Sequence, residues 1–339
     1  MSKRNLAIVA GVLLAAAAAL LFADPLPTLR GAFGKLDEAS PGWLVASGAC
    51  FLGASLCSAS AWHRGLAACG SRLGRWQVAR RYAAGSLANT LAPANAGEVV
   101  RVALLSRAMG TDGATFTVVG VSAIVGIVRG GLVLTLFTVT AASRVSPLWI
   151  VGGALGVVLL GAVGVVLARA RFAGKVRHVL DGVRGLAAHP AAALDLAAWV
   201  AAGIGAMVLA SACVGAALGV PHPVAAALVI VPAIELAKRL PITPGNIGLT
   251  SAAVAIALQS RGVPLESAVA AGITLHAVET VVGLCWGAAG TLSLTPALSR
   301  PGRLAWLRPR MRRALPGAAP TALLVGLALA SFGAYSALT

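Results

Sequence analysis

Charged residues are scarce in this chain. Asp, Glu, Lys and Arg make up only 11% of its 339 residues, whereas hydrophobic residues make up 58% and the mean hydropathy is +0.89. Carboxylates are the scarcer charge, with 10 Asp and Glu against 27 Lys and Arg, so the formal net charge is +17. This composition excludes a water-soluble globular domain, which carries about 25% charged residues. It predicts a polytopic membrane protein.

Motifs for catalysis and metal binding are also missing. The five cysteines include no CxxC pair, which argues against a disulfide framework or a zinc site. No GxxxxGK[ST] loop occurs, so no P-loop ATPase is predicted. No Ser/His/Asp or Cys/His constellation stands out either. The sequence therefore predicts neither an enzyme nor a cofactor.

Seven apolar segments are long enough to cross the hydrocarbon core of a bilayer, which takes about 20 helical residues. They are Leu6–Phe22, Trp43–Trp62, Thr115–Ser143, Ser146–Ala168, Leu196–Val220, Ser267–Leu294 and Thr321–Leu338. The first resembles a signal peptide, but Phe22-Ala23-Asp24-Pro25 is a poor cleavage site, so we interpret it as an uncleaved span. Trp43 and Trp62 frame the second span, and tryptophan prefers the bilayer interface.

Basic residues collect in three stretches between the apolar segments, 64–81, 169–184 and 300–313. The positive-inside rule places all three in the cytoplasm, where they contact anionic lipid rather than nucleic acid. The segment 169–187 carries apolar residues at helical spacing between its cations, which predicts a cytoplasmic interfacial helix. We therefore expect one integral membrane domain, residues 1–339, in the cytoplasmic (inner) membrane. Its N-terminus would lie in the cytoplasm and its C-terminus outside.

Two segments combine helix breakers with charges in otherwise apolar sequence, Asn89–Arg101 and Glu235–Gly248. Broken helices and charges at membrane depth are tolerated only where protein or water surrounds them. The basic stretches all stay cytoplasmic only if 83–107 inserts from and returns to the cytoplasmic side and 224–260 does so on the outer side. The prediction is an all-α polytopic fold of about seven transmembrane helices plus two oppositely oriented re-entrant helical hairpins, as in inverted-repeat transporters. The similarity between the hairpin sequences is too weak to establish a duplication.

Seven charges are predicted to lie at membrane depth: Glu98, Arg101, Arg129, Glu235, Lys238, Arg239 and Glu279. Each costs about 2.5–3.5 kcal/mol at a helix centre, so all must be paired or hydrated. Helical spacing lets Glu98 pair with Arg101, and Glu235 with Lys238 and Arg239. Such pairs are either structural salt bridges or parts of a hydrated site for a charged headgroup. We favour the second interpretation because helix breakers and charges coincide twice.

Two of these charges lie near the middle of predicted spans. Arg129 and Glu279 are placed to pair across the bundle. His276 shares a helix face with Glu279, but two candidate ligands without a third are weak evidence for a metal. We interpret His276 as a buried, hydrogen-bonded histidine. Proton relay through His276 or Glu279 is an open hypothesis.

The charges at membrane depth comprise four cations and three carboxylates, so one anionic ligand such as a lipid phosphate would balance them. Arginine suits phosphate because its planar fork bonds two oxygens at once. Backbone N–H groups freed by the breakers can also face an anion at a helix start. The candidate substrate-binding residues are Glu98, Arg101, Asn95, Arg129, Glu235, Lys238, Arg239, Pro244, Gly245, Asn246, His276 and Glu279.

Both breaker segments carry a family resemblance. The run 94–105, ANAGEVVRVALL, resembles the G-E-x-x-R signature of the lysylphosphatidylglycerol synthase transmembrane region family, the flippase-like module also found in the multiple peptide resistance factor. The run 240–248, LPITPGNIG, with the later Gly262-Val263-Pro264, resembles that family's second signature, L-P-x-x-P-G-G-[IL]-G. Asn246 replaces the second glycine of that pattern. The resemblance spans Leu6 to Leu294.

The resemblance implies lipid translocation across the bilayer and re-entrant helices around a central cavity. By matching positions it implicates Glu98, Arg101, Lys238, Arg239, Pro241, Pro244 and Gly245. The soluble aminoacyl-transferase half of the synthase is missing here, so lysyl-lipid synthesis is not implied. The leading hypothesis is a flippase or transporter that moves an anionic or polyprenyl-phosphate-linked (glyco)lipid across the cytoplasmic membrane by alternating access.

Two alternatives stay open from the sequence. A membrane glycosyltransferase using a polyprenyl-phosphate donor would place carboxylates in an outer loop, where Asp37 and Glu38 lie. A non-catalytic subunit of a lipid-synthesis complex would take membrane-bound lipid- or glycan-synthesis enzymes as partners. The transporter hypothesis requires only an anionic phospholipid or a polyprenyl-phosphate lipid.

Overall fold

Eight α-helices, together with the helical residues 31–32 and 34–36, build the part of the chain described by a computed structural model, which covers residues 31–32, 34–36, 38–91, 96–111, 113–141, 190–238 and 248–294. In chain order they are α1 Pro41–Ala68, α2 Arg75–Leu91, α3 Ala96–Met109, α4 Ala114–Ala141, α5 Pro190–Ala217, α6 Pro223–Ala237, α7 Leu249–Gln259 and α8 Leu265–Leu292. Within these ranges the fold is all-α, as the long apolar segments predict.

Four helices, α1, α4, α5 and α8, are long and apolar enough to cross a membrane. Each has 28 residues, which gives a length of about 42 Å against a hydrocarbon core of about 30 Å. They coincide with four of the seven predicted spans. The crossings predicted at 6–22, 146–168 and 321–338, and the interfacial helix predicted at 169–187, lie outside the described residues.

Local sequence explains where these helices begin and end. Proline stands at the first position of α1, α5 and α6, where its missing N–H has no intrahelical partner to lose. Gly70, just beyond α1, has a φ of 81° and donates its N–H to the carbonyl of Ala67 at 2.9 Å. That left-handed conformation, which glycine adopts without steric cost, turns the chain back toward α2.

One predicted interfacial anchor is wrong. Trp62 is only 3% exposed and lies in an apolar cluster rather than at a lipid interface. The cluster joins four helices of the first half of the chain through Trp62, Leu66, Val78, Leu105, Val118 and Val121. The span runs on to Ala68, so the tryptophan that seemed to mark its end is inside it.

The two segments predicted to be re-entrant are pairs of short helices. α2 and α3 have 17 and 14 residues, and α6 and α7 have 15 and 11. None reaches the roughly 20 residues of a full crossing. Each pair packs together around a gap in the described residues, at 92–95 and 239–247, where the sequence places its helix breakers. Insertion and return on one side of the membrane stays a prediction.

The eight helices form two units with the same architecture. Helices α1–α4 and α5–α8 both follow the order long, short, short, long. Each neighbouring pair in one unit has a counterpart in the other, and α2 packs on α8 as α6 packs on α4. The units meet along α1 and α5, which run antiparallel, with the Ser47 hydroxyl donating to the Ala210 carbonyl at 2.9 Å. Equivalent helices thus point in opposite directions, the arrangement of an inverted repeat.

Candidate functional site

The C-terminal ends of α2 and α6 meet on one turn of α8. A Cβ placed on Gly283 would lie 3.0 Å from the Thr90 hydroxyl, one residue before α2 ends. Lys238, directly after α6, forms a salt bridge with Glu279. Glu279 and Gly283 are four residues apart near the middle of α8. The C-terminal ends of both short helices therefore lie beside the middle of α8.

Arg101 is the centre of a polar cluster between α2 and α3. Its side chain is buried, and its Nη1 lies 3.3 Å from an oxygen of Glu98. Nη2 donates to the Ser86 hydroxyl at 3.0 Å and Nε donates to the Tyr82 carbonyl at 3.4 Å. The guanidinium also stacks on the Tyr82 ring, with Cζ 4.0 Å from the ring centroid, a favourable cation–π contact. The predicted Glu98–Arg101 pair is confirmed.

Two glycines make room for this cluster. A Cβ on Gly85 would run into the Arg101 side chain and would lie 2.8 Å from the Gly97 carbonyl oxygen. A Cβ on Gly97 would run into the carbonyl of Gly85 and the amide of Asn89. Helices α2 and α3 can therefore approach this closely only with glycine at both positions, as at other tight helix contacts in membranes.

Glu98 ties this hairpin to the next spanning helix. Its second oxygen accepts a hydrogen bond from the Ser122 hydroxyl of α4. Glu98 lies in the first turn of α3, where the helix dipole favours a negative charge. The carboxylate thus has a partner on its own helix and a partner on α4.

Arg129 and Glu235 form a bidentate ion pair. Arg129 Nε and Nη2 donate to the two carboxylate oxygens at 2.8 and 2.6 Å, and Nη2 also lies 3.0 Å from the Met207 sulfur. Only 7% of Glu235 is exposed. The pair joins α4, in the first unit, to α6, in the second.

Two predicted pairings are wrong. Arg129 forms its salt bridge with Glu235 rather than with Glu279, and Lys238 pairs with Glu279 rather than with Glu235. Lys238 is the residue that caps the end of α6, so its side chain reaches α8 instead of lying along its own helix. Spacing along one helix cannot reveal a neighbour on another.

The three ion pairs belong to one polar region. Glu98 bonds to Ser122 of α4, and Arg129 lies two turns later on the same helix. Glu235 and Lys238 are three residues apart at the end of α6, so the region extends from α3 across α4 and α6 to α8. Each of the six described charges has an oppositely charged partner, so none carries the full cost of an isolated ion in the membrane.

Several predicted site residues cannot be placed in this region. They lie outside the described residues and are Asn95, Arg239, Pro241, Pro244, Gly245 and Asn246. Arg239 is the cation that made the predicted count of positive charges exceed that of carboxylates.

His276 lies on the stripe of α8 that faces the hairpins, between Gly272 and Glu279. Ser251, at the start of α7, donates to the Gly272 carbonyl at 3.1 Å. The Nδ1 of His276 is buried, and no group in the described ranges bonds to it, so the predicted hydrogen bond is wrong for this atom. Nowhere in these ranges do three His, Cys, Asp or Glu side chains gather as for a metal.

Four site residues escaped the sequence reasoning. Tyr82, Ser86, Asn89 and Ser122 all bond to residues of the Glu98–Arg101 cluster. The first three lie at positions i, i+4 and i+7, so they form one polar stripe on α2 that helical periodicity could have revealed. Ser122 carries no such signal in its apolar span.

Glu38 lies apart from this region. It is 70% exposed at its side chain and bonds to Lys35 at 2.9 Å, which raises the pKa of the lysine amine. Asp37, its neighbour in the alternative enzyme hypothesis, lies outside the described residues. A further exposed pair, Arg64–Asp195 at 2.8 Å, links α1 to α5.

Comparison with known proteins adds one finding. The family model described as Lysylphosphatidylglycerol synthase TM region matches residues 5–287. No curated protein and no solved structure matches the chain. The matched residues include both helical hairpins, Arg129, Glu279 and most of α8, so the sequence match and the polar region coincide. This multi-pass membrane protein belongs to the lysylphosphatidylglycerol synthase TM region family.

Proposed function

We propose that this protein is a transporter that moves an anionic or polyprenyl-phosphate-linked (glyco)lipid across the cytoplasmic membrane by alternating access. The observation that carries the proposal is the meeting of two broken helices, from oppositely directed units, around three ion pairs at mid-depth. Membership of a family whose described activity concerns a membrane lipid supports a lipid substrate.

The two hairpins approach the middle of α8 from opposite ends. A Cβ on Gly290 would contact Ala83 and one on Gly283 would contact Thr90, so α2 runs antiparallel to α8 from its end toward its centre. The second hairpin starts beside the N-terminal end of α1, because the Ser40 N–H donates to the Ala217 carbonyl at the end of α5, the helix that precedes α6. Helix α6 then runs from this place to Glu279 on α8. This geometry supports re-entrant hairpins on opposite faces.

Inverted repeats supply a physical route to alternating access. Two units with the same packing but opposite direction can exchange conformations, which closes one side of a central site and opens the other. In the described arrangement the end of α6 is fixed by two interhelical ion pairs, Arg129–Glu235 and Lys238–Glu279. Opening that side requires both pairs to break or to exchange partners.

The polar region suits the passage of a headgroup better than catalysis. Its carboxylates, Glu98, Glu235 and Glu279, all bond to cations, so their oxygens already act as hydrogen-bond acceptors. An intramembrane region of paired charges can hydrate a polar headgroup while the acyl or prenyl chains stay in lipid. Substrate movement would then draw on a gradient rather than on nucleotide hydrolysis by this chain.

Reconstitution tests the proposal. Purified protein in phosphatidylcholine vesicles would carry a trace of phosphatidylglycerol labelled with nitrobenzoxadiazole on an acyl chain, and external dithionite would bleach the outer leaflet. If the protein moves lipid between the leaflets, dithionite should bleach more than half of the label. Arg101→Ala removes the centre of the first cluster, so bleaching should fall to the level of protein-free vesicles. Arg64→Ala is the matched control because Arg64 forms an exposed pair away from the site. Wild type indistinguishable from empty vesicles for phosphatidylglycerol and for polyprenyl-phosphate probes would refute the proposal.

A further inference from the structure

We propose that Arg129 is the phosphate-binding residue of this site and that Glu235 occupies its guanidinium until a phosphate displaces it. The inference rests on the proposed transport function and names the group that the site selects. It follows from a comparison of the three cations that the described residues place at mid-depth, Arg101, Arg129 and Lys238.

Arg101 is committed to the protein. Three of its N–H groups are bonded to Tyr82, Ser86 and Glu98, and its face is stacked on the Tyr82 ring. These partners all come from its own hairpin. Replacing them with a ligand would dismantle the contact of α2 with α3, so Arg101 positions the hairpin and does not receive a headgroup.

Arg129 is bonded in the way that arginine bonds phosphate. Its Nε and Nη2 face the two oxygens of Glu235 side by side, at 2.8 and 2.6 Å. Carboxylate and phosphate both present paired oxygens to the guanidinium fork, and both form bidentate pairs with it. Lys238, by contrast, offers a point charge without a fork. Glu235 thus holds the position that a phosphate group would take.

The carboxylate is carried by the part of the site that can move. Glu235 is on α6, which has 15 residues and contains Pro232 one turn before it. Proline has no N–H to donate, so the hydrogen bond that would tie residue 232 to the preceding turn is missing. The last turn of α6 can therefore leave Arg129 with less loss of helix than an uninterrupted segment. Arg129 itself stays fixed near the middle of a 28-residue span.

The exchange also conserves charge at the arginine. A phosphodiester headgroup carries one negative charge and replaces one carboxylate charge, so Arg129 is never left as an isolated ion at membrane depth. The displaced Glu235 lies three positions before Lys238, a second cation at the end of α6.

Binding measurements on variants of the intact chain test this exchange. The protein in phosphatidylcholine nanodiscs is titrated with short-chain phosphatidylglycerol, and separately with inorganic phosphate. Glu235→Gln keeps the shape of the side chain and removes the competing charge, so phosphatidylglycerol should bind about tenfold more tightly, because no buried ion pair must be broken. Arg129→Gln should abolish this binding. The double variant Arg129→Gln with Glu235→Gln should show no gain. Asp195→Asn, which removes a carboxylate from an exposed pair, should bind as wild type does.

The outcomes separate the sources of the phosphate and the two proposals. Tighter binding of phosphatidylglycerol alone assigns the site to a lipid headgroup, whereas equal tightening for inorganic phosphate assigns it to phosphate in general. Unchanged affinity in Glu235→Gln, or a gain that survives in the double variant, overturns the inference. Where Glu235→Gln does not fold, Arg129→Lys decides: it keeps the charge and loses the fork, so wild-type affinity would overturn the inference. If wild type transports lipid in vesicles but Glu235→Gln shows no gain in affinity, the proposed function stands and only the exchange of Glu235 for phosphate is refuted.

Discussion

The side-chain oxygen of Asn89 in α2 accepts a hydrogen bond from the backbone N–H of Gly97 in α3, at 2.7 Å. Gly97 is in the first turn of α3, where N–H groups have no partner within the helix. Asn89 thus satisfies the start of one hairpin helix from the end of the other. The bond spans the break at 92–95 and holds the two helix ends in register.

Asn89→Ala should destabilise the first hairpin. The substitution leaves a partly buried N–H without its acceptor, which costs about 1–3 kcal/mol. We expect a lower thermal unfolding temperature in mild detergent for Asn89→Ala than for wild type. Asn89→Asp keeps an acceptor oxygen and should recover most of the loss. A wild-type unfolding temperature for Asn89→Ala would show that the bond contributes nothing to stability.

Gly287→Ala should separate α2 from α8. A Cβ at this position would lie 2.5 Å from the Leu87 Cβ and 2.9 Å from its backbone nitrogen, and backbone cannot yield as a flexible side chain can. Overpacking of this kind costs about 1–3 kcal/mol. The control is Gly126→Ala in α4, where a Cβ meets nothing within 4 Å. The unfolding temperature should fall in Gly287→Ala and rise in Gly126→Ala, because alanine in an open helical position is favourable relative to glycine.

Glu38→Gln should change the titration of one lysine and leave transport intact. The hydrogen bond to Glu38 raises the pKa of the exposed Lys35 amine, so its loss should lower that pKa toward the ordinary value. Because the folded pKa is raised, any stability from this pair is present below the unfolded pKa and disappears as pH rises through the folded one. Amine-specific labelling of Lys35 across pH 9–11 should shift to lower pH in the variant. Loss of lipid transport in Glu38→Gln would instead favour the enzyme hypothesis.

The sequence contains enough information to locate the ends of the short helices. Proline and glycine punctuate α2–α3 and α6–α7 where charges interrupt apolar sequence, and both signals have local causes. The same holds for the Glu98–Arg101 pair, because residues three positions apart on a helix are neighbours on its surface. Each of these features depends on residues within a turn or two of one another.

The interhelical contacts could not be predicted in this way. Arg129 and Glu235 are 106 positions apart, and nothing in either segment specifies the other as its partner. The matching of the two four-helix units is likewise a property of packing, since equivalent helices share order and neighbours but little sequence. Trp62 shows the same limit, because only the fold decides whether an aromatic side chain faces lipid or a neighbouring helix.

Exchange of the charges of Lys238 and Glu279 tests whether this pair fixes the end of α6. Lys238→Glu brings two carboxylates together at mid-depth, and Glu279→Lys brings two ammonium groups together. Both side chains are only about a third exposed, so the repulsion is poorly screened and each single variant should lose transport. The double variant restores an opposite-charge pair with the same spacing and should recover a large part of it. Recovery requires direct contact, because two residues acting independently would have additive losses. Transport in vesicles, compared at equal amounts of folded protein, measures the coupling. A double variant as inactive as the worse single one would mean that the lysine at the end of α6 serves the headgroup rather than the helix.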